Sequence, residues 1–406
     1  MDPPATRVLT WRRKLFFSLV IFLMAALIIE GGLHLVVFIL APEKRVEDVY
    51  IEKFYQGKEW AQELFRETDR SKEYHQYLGW ISFPSRGKYV NVDAEAGRKT
   101  WNPENLPQDA TKIFFFGGSA AWGYGSRDDY TVPSHLSRLL NSDQPLFRVY
   151  NYGEPAYTFT QGLLYLILKL REGYRPQYVI FYDGYNDIFG SYQSGRAGTV
   201  HNRDRTSHKL RAKAGQLHWE AIKDWCRENI FLYNKIYYKI YLLFHPEARY
   251  TFYNIYGQFN PEERVWQVGT RSSDQELQAL AADTVQYYAQ SLKVLVHLSK
   301  TYNFKFLCFW QPVLFTDPKV LPQEYKIDSR LEDQMLGKLY RFTNQDLSRL
   351  SLPHFYNLAD VMSGRTKPLY MDTVHLMEEG NALVAEHIYQ VVKREWLPGK
   401  MPAVER

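Results

Sequence analysis

Cysteine is scarce in this chain of 406 residues: only Cys226 and Cys308 are present, far apart in the sequence. Neither belongs to a Cys-x-x-Cys pair or to a cluster of Cys and His, so a structural zinc site and a disulfide scaffold are not expected. Cys308 lies within an apolar run and is predicted to be a buried core thiol. Spacing alone leaves open whether the two thiols pair.

An excess of charge of one sign is also missing. The chain has 50 Lys and Arg residues against 45 Asp and Glu residues, a net charge of +5. The basic residues are mixed with acidic ones, so nucleic acid is not expected as a partner. There is no internal repeat and no glycine-rich loop followed by lysine, which argues against repeat architectures and P-loop phosphate binding. No cofactor and no metal are predicted.

One long apolar run is present, at residues 15–41. Its 27 residues would span about 40 Å as a helix, more than the hydrocarbon core of about 30 Å. Basic residues precede the run, whereas the charges after it nearly cancel, so the positive-inside rule places residues 1–14 in the cytoplasm. A cleaved signal peptide is the alternative, but the sequence around Ala41 is a poor cleavage site. We therefore predict a single-pass anchor with the rest of the chain periplasmic or extracellular.

Two ionisable residues interrupt this run. Glu30 and His34 are one helical turn apart, so their side chains lie on the same face. They either pair with each other or contact the helix of a membrane partner, since ionisable groups inside a membrane often mark function.

From Lys112 onward, short apolar runs alternate with helical patterns. The predicted strands cover residues 113–116, 147–150, 178–182, 304–310 and 355–358, and the predicted helices cover about 131–141, 161–172, 276–301 and 378–396. This alternation is typical of a parallel sheet covered by helices on both faces. It predicts one α/β domain over residues 111–396.

Three other segments complete the predicted organisation. Residues 42–110 form a stalk and an irregular N-terminal segment, in which residues 43–75 are either the stalk or the first helix of the outer domain, and residues 397–406 form a C-terminal tail. A long insertion at about 190–275 begins with a basic loop, residues 196–213, which either binds an anionic glycan or lipid headgroups or is simply solvated. Its later part is rich in Tyr and Trp, residues that stack on sugar rings or pack the insertion onto the domain.

Two glycine-containing motifs follow the first two predicted strands, at the edge where ligands bind in open α/β sheets. Ser119 comes after Gly117 and Gly118 at a strand-to-helix turn, where its hydroxyl is accessible and its N–H favours a developing negative charge. Gly153 follows the second strand, and a residue without a side chain lets its N–H approach a substrate oxygen.

Two further motifs supply a donor and a base. Asn186, after the third predicted strand, offers a side-chain amide as a hydrogen-bond donor. Asp372 precedes His375 by three residues, so the carboxylate can bond one ring nitrogen and leave the other to take a serine proton.

Together and in this order, the four motifs resemble the SGNH (GDSL-type) hydrolase superfamily, and in particular its membrane-anchored bacterial subset. The resemblance covers about residues 111–395 without the insertion. Gly118 stands where that family often has aspartate. The resemblance implies a flavodoxin-like three-layer α/β/α sandwich, Ser119 as nucleophile with Asp372 and His375, and an oxyanion hole formed by Ser119 N–H, Gly153 N–H and the Asn186 amide.

The implied function is a serine esterase that forms an acyl-enzyme, and we expect it to remove acyl groups, above all acetyl, from an envelope or extracellular glycan. An O-acyltransferase acting on such a polysaccharide uses the same residues. A catalytically silent, anchored binding or assembly factor is the alternative from another class, although the four complete motifs argue against it.

Other candidate residues have weaker support. Asp183 and Asp187 resemble the carboxylate pair of a glycoside hydrolase, but we expect Asp187 to support the loop of Asn186 instead. Gln311, in Trp310-Gln311-Pro312, either lines the pocket or belongs to a strand-ending turn.

Overall fold

The computed structural model describes residues 10–40, 50–52, 54–68, 72–201, 222, 226, 230, 273–314, 331–365 and 367–397. The chain divides into two units, Met1–Val49 with His208–Glu262, and Tyr50–Ser207 with Glu263–Arg406. Most of the predicted insertion lies outside the described residues, including residues 202–213 of its basic loop and nearly all of its Tyr-rich part, as does the tail after residue 397. Cys226 and Cys308 are both free thiols, and Cys308 is buried as predicted.

The described part of the first unit consists mainly of helix α1 (Trp11–Leu40). Within it, residues Trp11–Leu35 are long and apolar enough to cross a membrane, with a mean hydropathy of 2.3. Glu30 and His34 pair with each other, with 3.0 Å between the carboxylate Oε1 and the ring Nε2. This pairing is the first of the two alternatives that their spacing allows.

The described residues of the second unit include nine strands and eight α-helices, together with a 3-10 helix at Asp128–Tyr130. The strands are β1 (Lys72–His75), β2 (Gly79–Ser82), β3 (Val92–Asp93), β4 (Gly97–Arg98), β5 (Thr111–Gly117), β6 (Phe147–Asn151), β7 (Tyr178–Asp183), β8 (Lys305–Trp310) and β9 (Phe355–Asn357). The helices are α2 (Ala61–Thr68), α3 (Ser119–Trp122), α4 (Val132–Leu140), α5 (Phe159–Arg171), α6 (Tyr185–Ser194), α7 (Asp274–Tyr302), α8 (Leu331–Ser348) and α9 (Glu378–Trp396). The five strands and four helices predicted after Lys112 all occur, with bounds within two residues.

The main sheet has the order β3-β4-β6-β5-β7-β8-β9. Five of its strands, β5 to β9, are parallel to their neighbours among these five. At the edge beyond β6, β4 pairs with β6 and β3 pairs with β4, each in antiparallel orientation. Counted along the chain, the parallel strands lie in the order 2-1-3-4-5, which is the flavodoxin-like order. The predicted fold class is therefore confirmed.

Helices cover both faces of this sheet because alternate residues of each strand point to opposite sides. Phe114 and Phe116 of β5 belong to the core that includes residues of α5, α6, α7 and α8. Ile113 and Phe115 of the same strand belong to the core that includes residues of α4 and α9. Near-continuous apolar strands are thus buried on both faces, as parallel sheets require.

The segment before β5, part of which was predicted to be irregular, contains four short strands. Residues 72–82 form the β1–β2 hairpin, and β3 and β4 extend the main sheet. With two residues each, β3 and β4 are too short to show the alternation from which strands are predicted.

Arg98 of β4 is fully buried beside the end of α3. Its guanidinium pairs with Asp128 at 3.2 Å and donates to the carbonyls of Trp122 at 2.9 Å, Gly123 at 2.7 Å and Ser126 at 2.5 Å. It also lies 4.1 Å from the centre of the Trp122 ring. One side chain of β4 therefore binds three carbonyl groups at the end of α3 and in the following turn.

We predict that Arg98→Met lowers the free energy of unfolding by about 3–5 kcal/mol, because Asp128 is then buried without its cation. The matched control is Arg86→Met, which removes an Arg–Asp pair with Asp93 whose side chains are 72% and 41% exposed. That control should cost about 0–1 kcal/mol. Urea unfolding of both variants measures the difference, and equal losses would contradict a structural role for the buried pair.

Candidate active site

Ser119 is the first residue of α3 and directly follows the Gly117-Gly118 turn that ends β5. The chain passes from β5 to β6 on one side and then to β7 on the other, so the carboxyl ends of β5 and β7 border the crevice where such sheets bind ligands. As the first helical residue, Ser119 has an N–H without an intrahelical acceptor. The hydroxyl and this N–H belong to the same residue and are therefore presented together.

His375 reaches Ser119 across 256 residues of sequence, with 2.7 Å between its Nε2 and the Ser119 Oγ. Its other ring nitrogen, Nδ1, lies 2.6 Å from Asp372 Oδ2. In the neutral imidazole whose Nδ1–H donates to the carboxylate, Nε2 is left as the acceptor for the serine hydroxyl. The structure thus brings together the three residues predicted to act as nucleophile, base and orienting acid.

Asp372 also organises the loop that carries His375. Its Oδ1 accepts the N–H groups of Val374 at 2.9 Å and of His375 at 2.7 Å. Burial acts to raise the pKa of this carboxyl, but the nearby His375 and these hydrogen bonds outweigh it, and the pKa lies below its ordinary value. The carboxylate is therefore ionised at neutral pH, as the orienting partner of an imidazolium must be.

Asn186, near the start of α6, approaches the turn before Ser119. Its Nδ2 donates to the carbonyl of Tyr157 at 2.8 Å, which leaves its second N–H for another acceptor. A Cβ added to Gly118 would lie 2.2 Å from this nitrogen. Glycine at position 118, where the resembled family often has aspartate, thus makes room for the Asn186 amide beside the Ser119 peptide.

Gly153 also lies against the nucleophile helix, but its N–H has a partner. A Cβ at this position would lie 2.6 Å from the backbone nitrogen of Trp122, so only glycine fits. The Gly153 N–H donates to Asn151 Oδ1 at 3.0 Å, and Asn151 Nδ2 donates to the Ala121 carbonyl at 3.0 Å. In this conformation the N–H predicted to hold a substrate oxygen points at a side chain.

Asn151 supports the site through these two bonds but is not among the predicted site residues. It is completely buried at the end of β6. A polar residue that ends a buried parallel strand is the signal that could have identified it, because such a residue needs hydrogen-bond partners at the edge where ligands bind.

Glu154 fixes the loop that connects Gly153 to Tyr157. Its carboxylate accepts the N–H of Ser82 at 3.1 Å and the Ser82 hydroxyl at 2.6 Å, and the Trp80 indole donates to the Pro155 carbonyl at 3.0 Å. Burial raises the pKa of Glu154 to about 7, although the bonds from Ser82 act in the opposite direction. The β1–β2 hairpin thereby supports the loop whose Tyr157 carbonyl holds Asn186.

The two aspartates around Asn186 are buried and engaged in structural bonds. Both carboxylate oxygens of Asp187 lie 3.1 Å from the N–H of Phe159, the first residue of α5. Asp183 Oδ1 accepts from the Tyr288 hydroxyl at 3.1 Å, and burial and the charge of Asp187 raise the pKa of Asp183. This arrangement supports the loop role expected for Asp187 rather than a glycosidase pair.

Gln311 is buried in the turn after β8. Its N–H donates to the Asp183 carbonyl at 2.9 Å, and its own carbonyl accepts from the Tyr340 hydroxyl at 2.6 Å. These bonds fit the strand-ending alternative. Over the part of the chain that the structure describes, no group of three or more His, Cys, Asp or Glu side chains is arranged to hold a metal ion.

Solved structures that the chain resembles include G-D-S-L lipolytic proteins and carbohydrate esterases. A carbohydrate acetylesterase family member from Sinorhizobium meliloti is 16% identical, with 70% of this chain and 98% of that chain covered and a TM-score of 0.32. A lipolytic G-D-S-L protein from Veillonella parvula is 12% identical, with 70% and 100% covered and a TM-score of 0.36. The esterase EstA from Pseudoalteromonas is 13% identical, with 71% and 100% covered and a TM-score of 0.30. No family model matches the chain, and no curated protein matches it.

The Gly118 contact yields a test of the Asn186 position. We predict that Gly118→Ala lowers kcat for an ester substrate by about 10²-fold, the usual cost of losing one oxyanion donor, because the new methyl group displaces the Asn186 amide. The matched background is the variant Asn186→Ala, which already lacks the side-chain amide. In this background Gly118→Ala should lower kcat by less than about threefold, because there is no amide left to displace. Fully multiplicative losses in the double variant would contradict this account of the glycine.

Proposed function

We propose that this chain is a serine esterase that forms an acyl-enzyme on Ser119. The observation that carries the proposal is the unbroken pair of hydrogen bonds from Ser119 Oγ to His375 at 2.7 Å and from His375 to Asp372 at 2.6 Å. These bonds lie at the carboxyl edge of a parallel sheet, beside an available backbone N–H and a side-chain amide. Such a constellation suits acyl transfer whatever fold supports it.

In the first half-reaction, Ser119 Oγ attacks the acyl carbonyl while His375 Nε2 takes the hydroxyl proton. The charge that develops on the carbonyl oxygen is stabilised by the Ser119 N–H and the Asn186 amide, and Asp372 stabilises the imidazolium. The Gly153 N–H becomes the third donor if it turns from Asn151 to the oxyanion. Collapse of the tetrahedral intermediate breaks the bond to the alcohol, which leaves with the proton from His375.

In the second half-reaction, water gives a proton to His375 and attacks the acyl group on Ser119. A second tetrahedral intermediate forms and is stabilised by the same hydrogen-bond donors. Its collapse releases the carboxylic acid and returns the proton from His375 to Ser119. If a sugar hydroxyl takes the place of water, the same steps transfer the acyl group, so the products of the reaction separate an esterase from an O-acyltransferase.

We further propose that the substrate is a short acyl ester, above all acetate, on an envelope or extracellular glycan. The support is in the sequence: residues 217–256 contain two Trp and seven Tyr. Aromatic faces stack on sugar rings and their polar edges tolerate water. A lipid esterase would more often carry an aliphatic surface for its acyl chain.

The proposal includes a membrane location. Helix α1 carries Arg12, Arg13 and Lys14 in its first turn and contains a stretch long and apolar enough to cross a membrane, so we propose that it remains as an anchor with residues 1–14 in the cytoplasm. The esterase unit then lies in the periplasm or outside the cell, which limits its substrates to those of the envelope and its surroundings.

The triad assignment predicts a specific labelling pattern. A fluorophosphonate should modify Ser119, and Ser119→Ala should abolish the modification while Ser142→Ala, at an exposed position, should not. His375→Ala should lower kcat by several powers of ten, and Asp372→Asn by up to about 10⁴-fold. Mass mapping and steady-state kinetics give both results. More than about a tenth of the activity remaining in His375→Ala would rule out its role as base.

The substrate assignment is tested with nitrophenyl esters of increasing chain length beside an acetylated polysaccharide. We expect the highest kcat/KM with acetate and release of acetate from the polysaccharide. A clear optimum at long acyl chains without acetate release would instead indicate a lipid esterase. Acetyl transfer to an added glycan at the expense of free acetate would indicate the O-acyltransferase.

A further inference from the structure

The residues that follow the anchor contact both loops of the proposed triad. We call residues 50–52 and 54–68 the pre-sheet segment, residues 123–127 the serine loop, and residues 370–377 the histidine loop. A stalk would have no reason to contact either loop. The pre-sheet segment contributes buried side chains, among them Tyr55 and Phe65, to a small core with Met371 and Met377 of the histidine loop.

Tyr55 joins the two loops through its hydroxyl. The side chain is buried, and the hydroxyl donates to the Gly125 carbonyl of the serine loop at 2.7 Å. The same oxygen lies 3.4 Å from the sulfur of Met371, the residue just before Asp372. A single hydroxyl thus contacts the loop that follows Ser119 and the loop that carries the acid and base.

Tyr50 reaches the acid itself. Its hydroxyl lies 3.4 Å from Asp372 Oδ2, the oxygen that also bonds the ring of His375. Through this contact, a hydroxyl from the start of the pre-sheet segment lies against the carboxylate that orients the base.

Aromatic contacts extend from the same segment to His375. The ring of Phe65 lies 6.3 Å from that of Tyr124, and Tyr124 lies 4.7 Å from the His375 ring at an angle of 40°. Phe65 is also 5.4 Å from Tyr55. The face of the imidazole that Tyr124 covers is therefore backed by the pre-sheet segment.

An ion pair also lies against the pre-sheet segment. Arg127 of the serine loop donates to Glu378, the first residue of α9, from Nε at 2.9 Å and from Nη2 at 2.7 Å. The Arg127 guanidinium lies 4.2 Å from the centre of the Trp60 ring. The segment thus also packs on the bidentate pair that links the serine loop to α9, directly after the histidine loop.

We propose that the pre-sheet segment is a positioning element of the triad, with Tyr50 and Tyr55 as its positioning residues. The proposal rests on the proposed esterase function and deepens it. Small displacements of reacting groups are costly in rate, so loss of these contacts should act on the chemical step and not on substrate binding. Residues next to the anchor would then be required for activity and not only for attachment.

The test uses the full chain in detergent with Tyr50→Phe, Tyr55→Phe and the control Tyr74→Phe, whose residue is 83% exposed. Each tyrosine variant of the pre-sheet segment should lower kcat and the rate of fluorophosphonate modification of Ser119 by about three- to tenfold, the range for one lost hydrogen bond. KM and the folded fraction should stay unchanged, and Tyr74→Phe should match the wild type. Amide exchange in the serine and histidine loops should become faster in Tyr55→Phe.

The outcomes separate this inference from the function on which it rests. Unchanged kcat and unchanged exchange in both variants of an active enzyme would overturn the positioning role alone, as would a loss of activity that only follows a loss of folded protein. A wild-type chain without ester turnover or Ser119 modification would overturn the esterase. Faster loop exchange in Tyr55→Phe would then still support the positioning of the two loops. If Tyr55→Phe does not fold, Tyr50→Phe decides alone: a loss of both kcat and labelling rate at constant KM supports the positioning role, and unchanged values overturn it.

Discussion

The site depends on the Asp372 carboxylate, because this one group both folds a loop and orients a base. Its Oδ1 takes two backbone N–H groups of the histidine loop, and its Oδ2 takes the imidazole Nδ1. The loop closes further through the N–H of Met371, which donates to the His375 carbonyl at 2.8 Å. The position of the ring is thus set by the same bonds that set the backbone, so ring orientation and loop conformation cannot vary independently.

The sheet supplies the rest of the geometry. Because β5 and β7 are neighbours while the chain between them crosses to β6, the residues after these strands converge at one crevice. Ser119 comes from the end of β5 and Asn186 from just after β7, and the glycine at position 118 lets the two approach closely. The histidine loop then has to reach the crevice from just before α9, and the contacts of Arg127 and Glu378 hold it there.

Much of this was predictable because it is encoded locally. The apolar runs from Lys112 onward marked the parallel strands, and the polar residues after two of them marked Ser119 and Asn186. The three-residue spacing of Asp372 and His375 marked the acid and the base. What the sequence could not reveal are contacts between distant residues without a periodic pattern. Tyr50 and Tyr55 lie in a segment whose composition suggested a stalk, and the bond from the Gly153 N–H to Asn151 depends on side-chain orientation. Neither leaves a signature in residue spacing.

The central claim is that an acyl group resides on Ser119 during turnover. The most direct measurement is acid quenching of the full chain during steady-state hydrolysis of an acetyl ester, followed by digestion and mass analysis of the peptide spanning residues 113–127. We expect this peptide to gain the mass of one acetyl group on Ser119 and to lose it once substrate is exhausted. An active enzyme that carries no acetyl group, or carries it on another residue such as Ser126, would contradict the account.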